Sequence, residues 1–358
     1  MEGYNKKVIM SYWTICRMKT TKKIYVKVSI IFLLGGILLF SSCEKEENQK
    51  IEANRKTLFM YLPWSSNLTN YFYNNISDLE KCITKIGLNN EKVIVFISTG
   101  STEAMMFEIV SSHGRCKREI LKKYKSPPFT TIDGITAILN DVKAFAPASV
   151  YTMIIGCHGM GWLPVYEMKV RSAPHMKMHW EYQGVPLTRY FGGLTAEYQT
   201  DIKSLASGIA NAGMKMEYIL FDDCYMSSIE VAYELKDVTK YLIGSTSEMM
   251  AYGMPYAAIG EYLLGNPDYQ SGCEEFYNFY STYEIMPCGT LAVTDCSELE
   301  NMAAIIKSIN SKYSFDKSLR GTIQRLDGYT PVIFYDFADY ITSLCNDPIL
   351  LNHCLLYT

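Results

Sequence analysis

The sequence is poor in several features that mark common function classes. Lys and Arg number 34 against 37 Asp and Glu, a formal net charge of −3. That balance supplies no basic field for a phosphate backbone, so nucleic acid is not an expected partner. No CxxC pair occurs among the eleven cysteines, at 16, 43, 82, 116, 157, 224, 273, 288, 296, 345 and 354. Zinc knuckles and thioredoxin-type motifs are thereby excluded. A disulfide framework is not expected, because a 358-residue chain with 48% hydrophobic residues needs no staples. Most of the cysteines read as small buried hydrophobes. The apolar run Val28–Phe40 falls short of the roughly 20 residues that span a bilayer. No internal repeat is present. No Asp/Asn/Gly loop specifies a calcium site. His175 and His179 in HMKMH stand four apart, as metal ligands on a helix would. Met176 and Met178 lie between them and no third ligand is in view, so no metal is assigned.

What the chain does contain begins with an export signature. Lys19, Lys22, Lys23 and Lys27 precede the apolar run, and Ser41, Ser42 and Cys43 follow it, ahead of the charged EKEENQK. This order predicts a signal segment over 18–42, lipidation at Cys43 and a tether over 43–56. Residues 1–17 read as an over-called start. A short membrane anchor and a plain secretory signal are the alternatives. The expected location is the bacterial cell envelope, with a lipid anchor at Cys43 holding the protein to the outer membrane, or secretion. The folded domain is 57–358, expected as a monomer.

From residue 57 onward, short apolar runs alternate with helical patterns. Strands are expected at 57–62, 92–98, 149–157, 216–224, 240–246 and 289–295, with a hairpin formed by 105–110 and REILKKY. Helices are expected up to about Ile86 and over 131–146, 195–213 (with a Thr cap and Gly at its end), 226–238 and PYAAIGEYLL. The β-α alternation predicts a mainly parallel sheet with helices on both faces. The polar, Lys/Arg/Pro/Gly-dotted segment 163–193 reads as a long loop or insertion.

Two strand ends carry chemistry. MIIGCHGMGW places His158 and Gly159 at one carboxyl end, and YILFDDC places Cys224 at another. Sites assemble at the carboxyl ends of parallel strands. A thiol attacking a carbonyl must lose its proton, and histidine titrates near neutral pH. The developing oxyanion needs backbone N–H donors, expected at Gly159 and at Cys224 as the opening residue of a helix. Asp222 and Asp223 oppose a thiolate. From these residues alone Cys224 remains a nucleophile, a disulfide partner or a small core residue. Trp162 is expected to pack under the histidine loop, and Asp222 has an alternative role as a cap or ion-pair partner.

HGMGW (158–162) taken with FDDCYMSSIEVAYELKD (221–237), and continuing through YLIGSTSE (241–248) and GMPY (253–256), resembles the clostripain-like cysteine peptidases, relatives of caspases and gingipains. GTLAVTD and FYDFADYI fit more loosely, and the likeness covers roughly 57–345. The resemblance implies a caspase-like α/β/α sandwich around a central, mainly parallel sheet. It implies a Cys–His dyad, with Cys224 as nucleophile and His158 as base and then proton donor. It implies a peptide or protein substrate cleaved after Arg or Lys, Asp222 serving as one acid of the specificity pocket. Tyr252 stands where the family carries a second acid, and this departure alters the pocket. Glu248 and Asp223 are the nearby acids available to compensate. The family also implies self-cleavage between His and Cys, where 163–193 offers Lys169, Arg171, Lys177 and Arg189, and calcium dependence in some members. A further strand often follows the point where this chain stops, which suggests a shortened C-terminus. The competing reading is a lipid-anchored peptide- or protein-binding module that has lost catalysis on the same scaffold.

Overall fold

The computed structural model describes residues 54–355 apart from 66, 164, 166–191 and 330. Eight strands form one sheet: β1 (Asn54–Leu62), β2 (Glu91–Ser98), β3 (Glu103–Ser112), β4 (Arg115–Lys125), β5 (Ala148–Ile155), β6 (Met216–Phe221), β7 (Thr239–Gly244) and β8 (Ala292–Asp295). Their order is β4-β3-β2-β1-β5-β6-β7-β8. The five inner strands β2, β1, β5, β6 and β7 run parallel. β3 and β4 form the expected hairpin at one edge, and β8 adds antiparallel at the other. The sheet is therefore mixed, with a parallel centre.

The inner strands are apolar on both faces because helices cover both. Side chains alternate across a strand. Leu58, Met60 and Leu62 of β1 thus enter one core, with Val93, Val95 and Ile97 of β2. Phe59, Tyr61, Ile94 and Phe96 enter the other. The first core is closed by α1 (Thr69–Ile86), whose Phe72, Ile76, Leu79 and Ile83 recur at helical spacing. The second is closed by α2 (Ile132–Phe145), α3 (Ile202–Asn211) and α4 (Ile229–Leu235). α5 (Tyr256–Leu263) and α6 (Tyr269–Ser281) pack with α1 on the first face. α7 (Leu299–Lys312), α8 (Phe337–Leu344) and α9 (Pro348–Leu355) share a smaller cluster around Ile309 and Ile341. The result is the expected α/β/α sandwich.

Three elements differ from expectation. The helix foreseen over 195–213 begins only at Ile202. A 3-10 turn at Ala196–Tyr198 precedes it, and Asp201 sits at its N-cap in an extended conformation. β6 ends at Phe221, whose pairing with Ile155 is the last of that ladder. The helix foreseen from residue 226 begins at Ile229, with the Ser228 hydroxyl accepting from Val231 N–H at 3.4 Å. Tyr225 explains the delay. Its φ of +59° is incompatible with a right-handed helix and turns the chain between strand and helix. The nine cysteines between 82 and 354 carry free thiols, seven of them buried.

Candidate active site

β1, β5 and β6 are adjacent and parallel, so their carboxyl ends open on the same edge of the sandwich. Each is followed within a few residues by a polar group of the site: Asn67 after β1, His158 after β5 and Cys224 after β6. His158 is 1% exposed. Its N–H donates to Gly192 O at 3.1 Å, and its ring Nε2 lies 2.8 Å from Asn67 Oδ1. Asn67 escaped the sequence reading, since an Asn just ahead of a helix suggests only a cap. The N-cap is in fact Leu68, with no side-chain cap bond, and the Asn67 amide is directed at the imidazole instead.

Cys224 lies in the turn between β6 and α4, fully buried. It does not open a helix, so a helix N-terminus is not what supports its sulfur. The loop after β7 takes that place. Met249 N–H points at Sγ from 3.1 Å, and Met249 O lies 3.6 Å away. An N–H donor stabilises a thiolate more than a thiol. The turn itself is pinned to the same loop by Tyr225 N–H to Ser247 O at 3.0 Å and Ser227 N–H to Ser245 O at 3.0 Å.

The loops that carry His158 and Cys224 touch directly. A Cβ added at Gly159 would run into Cys224 O and sit 2.9 Å from both Asp223 Cβ and Met226 Cγ. Only glycine allows that approach. Asp223, fully buried, clasps the residue before the histidine. Its Oδ1 accepts from Cys157 N–H at 2.5 Å, and its Oδ2 lies 3.6 Å from Cys157 Sγ. This accounts for the acid beside the cysteine, whose charge faces donors on the histidine strand.

Asp222 is also buried, at 1% exposure. Its Oδ1 accepts from Met254 N–H at 2.8 Å and its Oδ2 from the Tyr256 hydroxyl at 3.1 Å. It therefore ties the 252–256 turn to the end of β6. Tyr252 lies on that same turn, half-buried, and its hydroxyl donates to Asp78 Oδ2 on α1 at 2.8 Å. Asn75 Nδ2, also on α1, donates to Tyr252 O at 2.8 Å. The structure thus brings Asp222 and Tyr252 into one neighbourhood and adds Asp78, a carboxylate that the sequence did not reveal. Burial, reinforced by the bond to Asp78, pushes the Tyr252 phenol well above its usual value.

A distant segment packs over both loops. Phe334 stacks on the Tyr225 ring with centroids 4.4 Å apart and planes within 6°. A Cβ at Gly161 would lie 2.7 Å from Phe334 Cε1. Tyr329 donates to Met160 Sδ at 3.4 Å. The carboxylate of Asp327 shapes this segment by accepting from the N–H groups of Tyr329, Ile333 and Phe334. Glu248, beside Tyr225 and Tyr329, has its carboxyl raised to about 7, chiefly by burial. Trp162 corrects an expectation. It is 44% exposed, turned outward just after Gly161 at φ +60°, and does not pack under the histidine loop.

Cys43, His175, His179, Lys169, Arg171, Lys177 and Arg189 lie outside the described residues. Among the described residues no group of three or more His, Cys, Asp or Glu could hold a metal ion.

An α/β/α sandwich with histidine and cysteine on neighbouring strand ends defines a caspase-like cysteine-peptidase scaffold. The clostripain family profile matches residues 60–347, and the chain belongs to that family of cysteine peptidases. It is 59% identical to a secreted C11 cysteine protease from Bacteroides thetaiotaomicron, "iotapain", over 84% of this chain and 83% of that one, with a TM-score of 0.77. An inactive zymogen C11 protease from Parabacteroides distasonis matches at 24% identity and TM-score 0.68, over 84% of this chain and 80% of that one. A second secreted B. thetaiotaomicron C11 protease, bound to an irreversible peptide inhibitor, matches at 20% and 0.67, over 84% and 81%. At those two identities the likeness is one of fold. A comparison with curated proteins returned no match.

Proposed function

We propose that the chain is an endopeptidase working through a Cys224–His158 dyad. The contact between the two loops, sealed by Gly159 against Cys224 and by Asp223 on Cys157, is the observation that carries this reading. His158 takes the thiol proton as sulfur bonds to the scissile carbonyl carbon. The oxyanion forms against the backbone N–H groups of Gly159 and Cys224. Collapse breaks the C–N bond while His158 returns the proton to the leaving amine. Water, deprotonated by the same imidazole, then releases the acyl group and restores the thiol. Cys224→Ala and His158→Ala should each abolish turnover of a fluorogenic peptide panel carrying Arg, Lys, neutral or acidic residues at the cleavage position. Turnover surviving in both would sink the dyad.

The preferred residue at that position is Arg or Lys, bound by Asp222 beside Tyr252. Replacing a second carboxylate by a phenol removes one charge-assisted bond of roughly 1.5–3 kcal/mol. Selectivity over neutral residues is then one to two decades weaker than in a two-acid pocket. Tyr252→Asp should sharpen it in the same panel, and an unchanged ratio would count against the assignment.

The enzyme matures by cutting itself within 163–193. The burial of Cys224 and His158 supports a closed uncut chain. Wild type should yield two fragments on a denaturing gel where Cys224→Ala stays whole. Its setting is the cell envelope or the medium outside it, as a monomer tethered through a lipid on Cys43. The 59%-identical relative described as secreted supports export. Labelled palmitate incorporated in wild type and absent from Cys43→Ala would establish the anchor.

A further inference from the structure

We infer that Asn67 is a positioning residue that completes the constellation by fixing the tautomer of His158; this rests on the Cys224–His158 reading above. Three adjacent parallel strands each deliver one group at the same edge: β1 delivers Asn67, β5 His158 and β6 Cys224. The histidine strand lies between the other two, so Asn67 and Cys224 approach from opposite flanks. Asn67 Oδ1 sits 2.8 Å from Nε2. An amide oxygen only accepts, so this contact places the ring proton on Nε2. Nδ1 then keeps its lone pair and is the nitrogen that takes the thiol proton. With the amide reversed, its NH2 would donate to Nε2 and the ring proton would move to Nδ1, the form unable to act as base there. The amide oxygen also stabilises the imidazolium formed during attack, through one neutral hydrogen bond and without a full counter-charge.

The local sequence supports a dedicated role. Asn67 N–H closes a tight turn onto Ser65 O at 2.9 Å, which directs the side chain across to β5 rather than into the first turn of α1. The helix forgoes an asparagine cap, and the Leu68 that takes the cap position provides none. Because Asn67 is exposed, its substitution leaves the core untouched.

The test uses the full chain and separates this inference from the dyad itself. Asn67→Ala should lower kcat roughly 10–100-fold, as loss of an orienting partner does, with KM within about twofold and the melting temperature within a few degrees of wild type. Asn67→Asp should restore much of kcat. In the Cys224→Ala background, with labelled histidine followed by NMR, Asn67→Asp should raise the pH at which His158 protonates by about one unit. A capping or packing role would move neither the kcat-to-KM split nor the His158 titration. Turnover retained in His158→Ala and Cys224→Ala overturns the dyad. Those two variants inactive, with Asn67→Ala at wild-type kcat and the His158 titration unmoved in Asn67→Asp, overturns the role of Asn67 alone.

Discussion

Asp223 accepts the buried backbone N–H of Cys157. Asp223→Ala removes that acceptor and frees the histidine loop from the cysteine loop. An unsatisfied buried group costs about 1–3 kcal/mol, and misplaced reacting atoms lower the rate by about 100-fold. Urea unfolding and kcat should fall together, and a variant with wild-type kcat would show that the clasp is not needed for catalysis. Glu248 makes a pH-dependent contribution of a definite sign. Its carboxyl is raised to about 7 in the fold, from an ordinary 4.5. The unfolded chain therefore loses this proton first. Stability from this group is full below about pH 4.5 and declines as pH rises through about 7. Glu248→Gln should flatten the melting temperature across that window and gain roughly 2 kcal/mol at pH 8. A parallel pH profile in the variant would reject the assignment. Tyr225, Tyr329, Asp327 and Cys288 are the titratable groups that face this carboxyl.

Among the elements, the segment around Asp327 has the most unexpected reach. It follows Cys224 by about a hundred residues, yet Phe334 and Tyr329 touch the cysteine turn and the histidine loop at once. Tyr225 holds a left-handed backbone that a non-glycine residue adopts only when its surroundings over-determine it. The Phe334 ring, stacked on it, supplies part of that constraint. Phe334→Ala should cost about 3 kcal/mol in stability, in line with other buried aromatic truncations. It should also lower kcat by more than a comparable core truncation such as Phe107→Ala, on β3 of the edge hairpin and four strands from β6. Equal losses of kcat at matched stability would mean that Phe334 merely packs.

At the scale of the molecule, segment 163–193 separates sequence halves that the sheet joins. β1 to β5 precede it and β6 to β8 follow it, yet β5 and β6 pair through Tyr151↔Met216, Met153↔Ile219, Ile154↔Leu220 and Ile155↔Phe221. α1 from the first half packs on α5 from the second, and Lys56 Nζ donates to Leu263 O at 2.7 Å. A chain cleaved within 163–193 should run as one species on size exclusion and as two bands on a denaturing gel. Halves that separate without denaturant would contradict an interlocked core.

The sequence by itself determined the layered fold. Largely apolar runs such as MEYILF and KVIVFIS have to be covered on both faces, and the helical stripe of α1 has to find a sheet. It also singled out His158, Gly159 and Cys224, because polar residues and glycine at the ends of apolar strands break a local pattern. The turn at Tyr225 was not legible, since its positive φ is imposed by contacts with Ser247 O and Phe334 rather than by the tyrosine itself. The same holds for every long-range partner. Asn67, Asp78, Met249 and Asp327 are ordinary residues in their own segments. They acquire a role only when the fold sets them against the imidazole, the phenol, the sulfur and the covering loop. Local propensity is read along the chain, whereas hydrogen bonds such as those of Asn67 to His158 and Tyr252 to Asp78 exist only once burial has brought distant segments together.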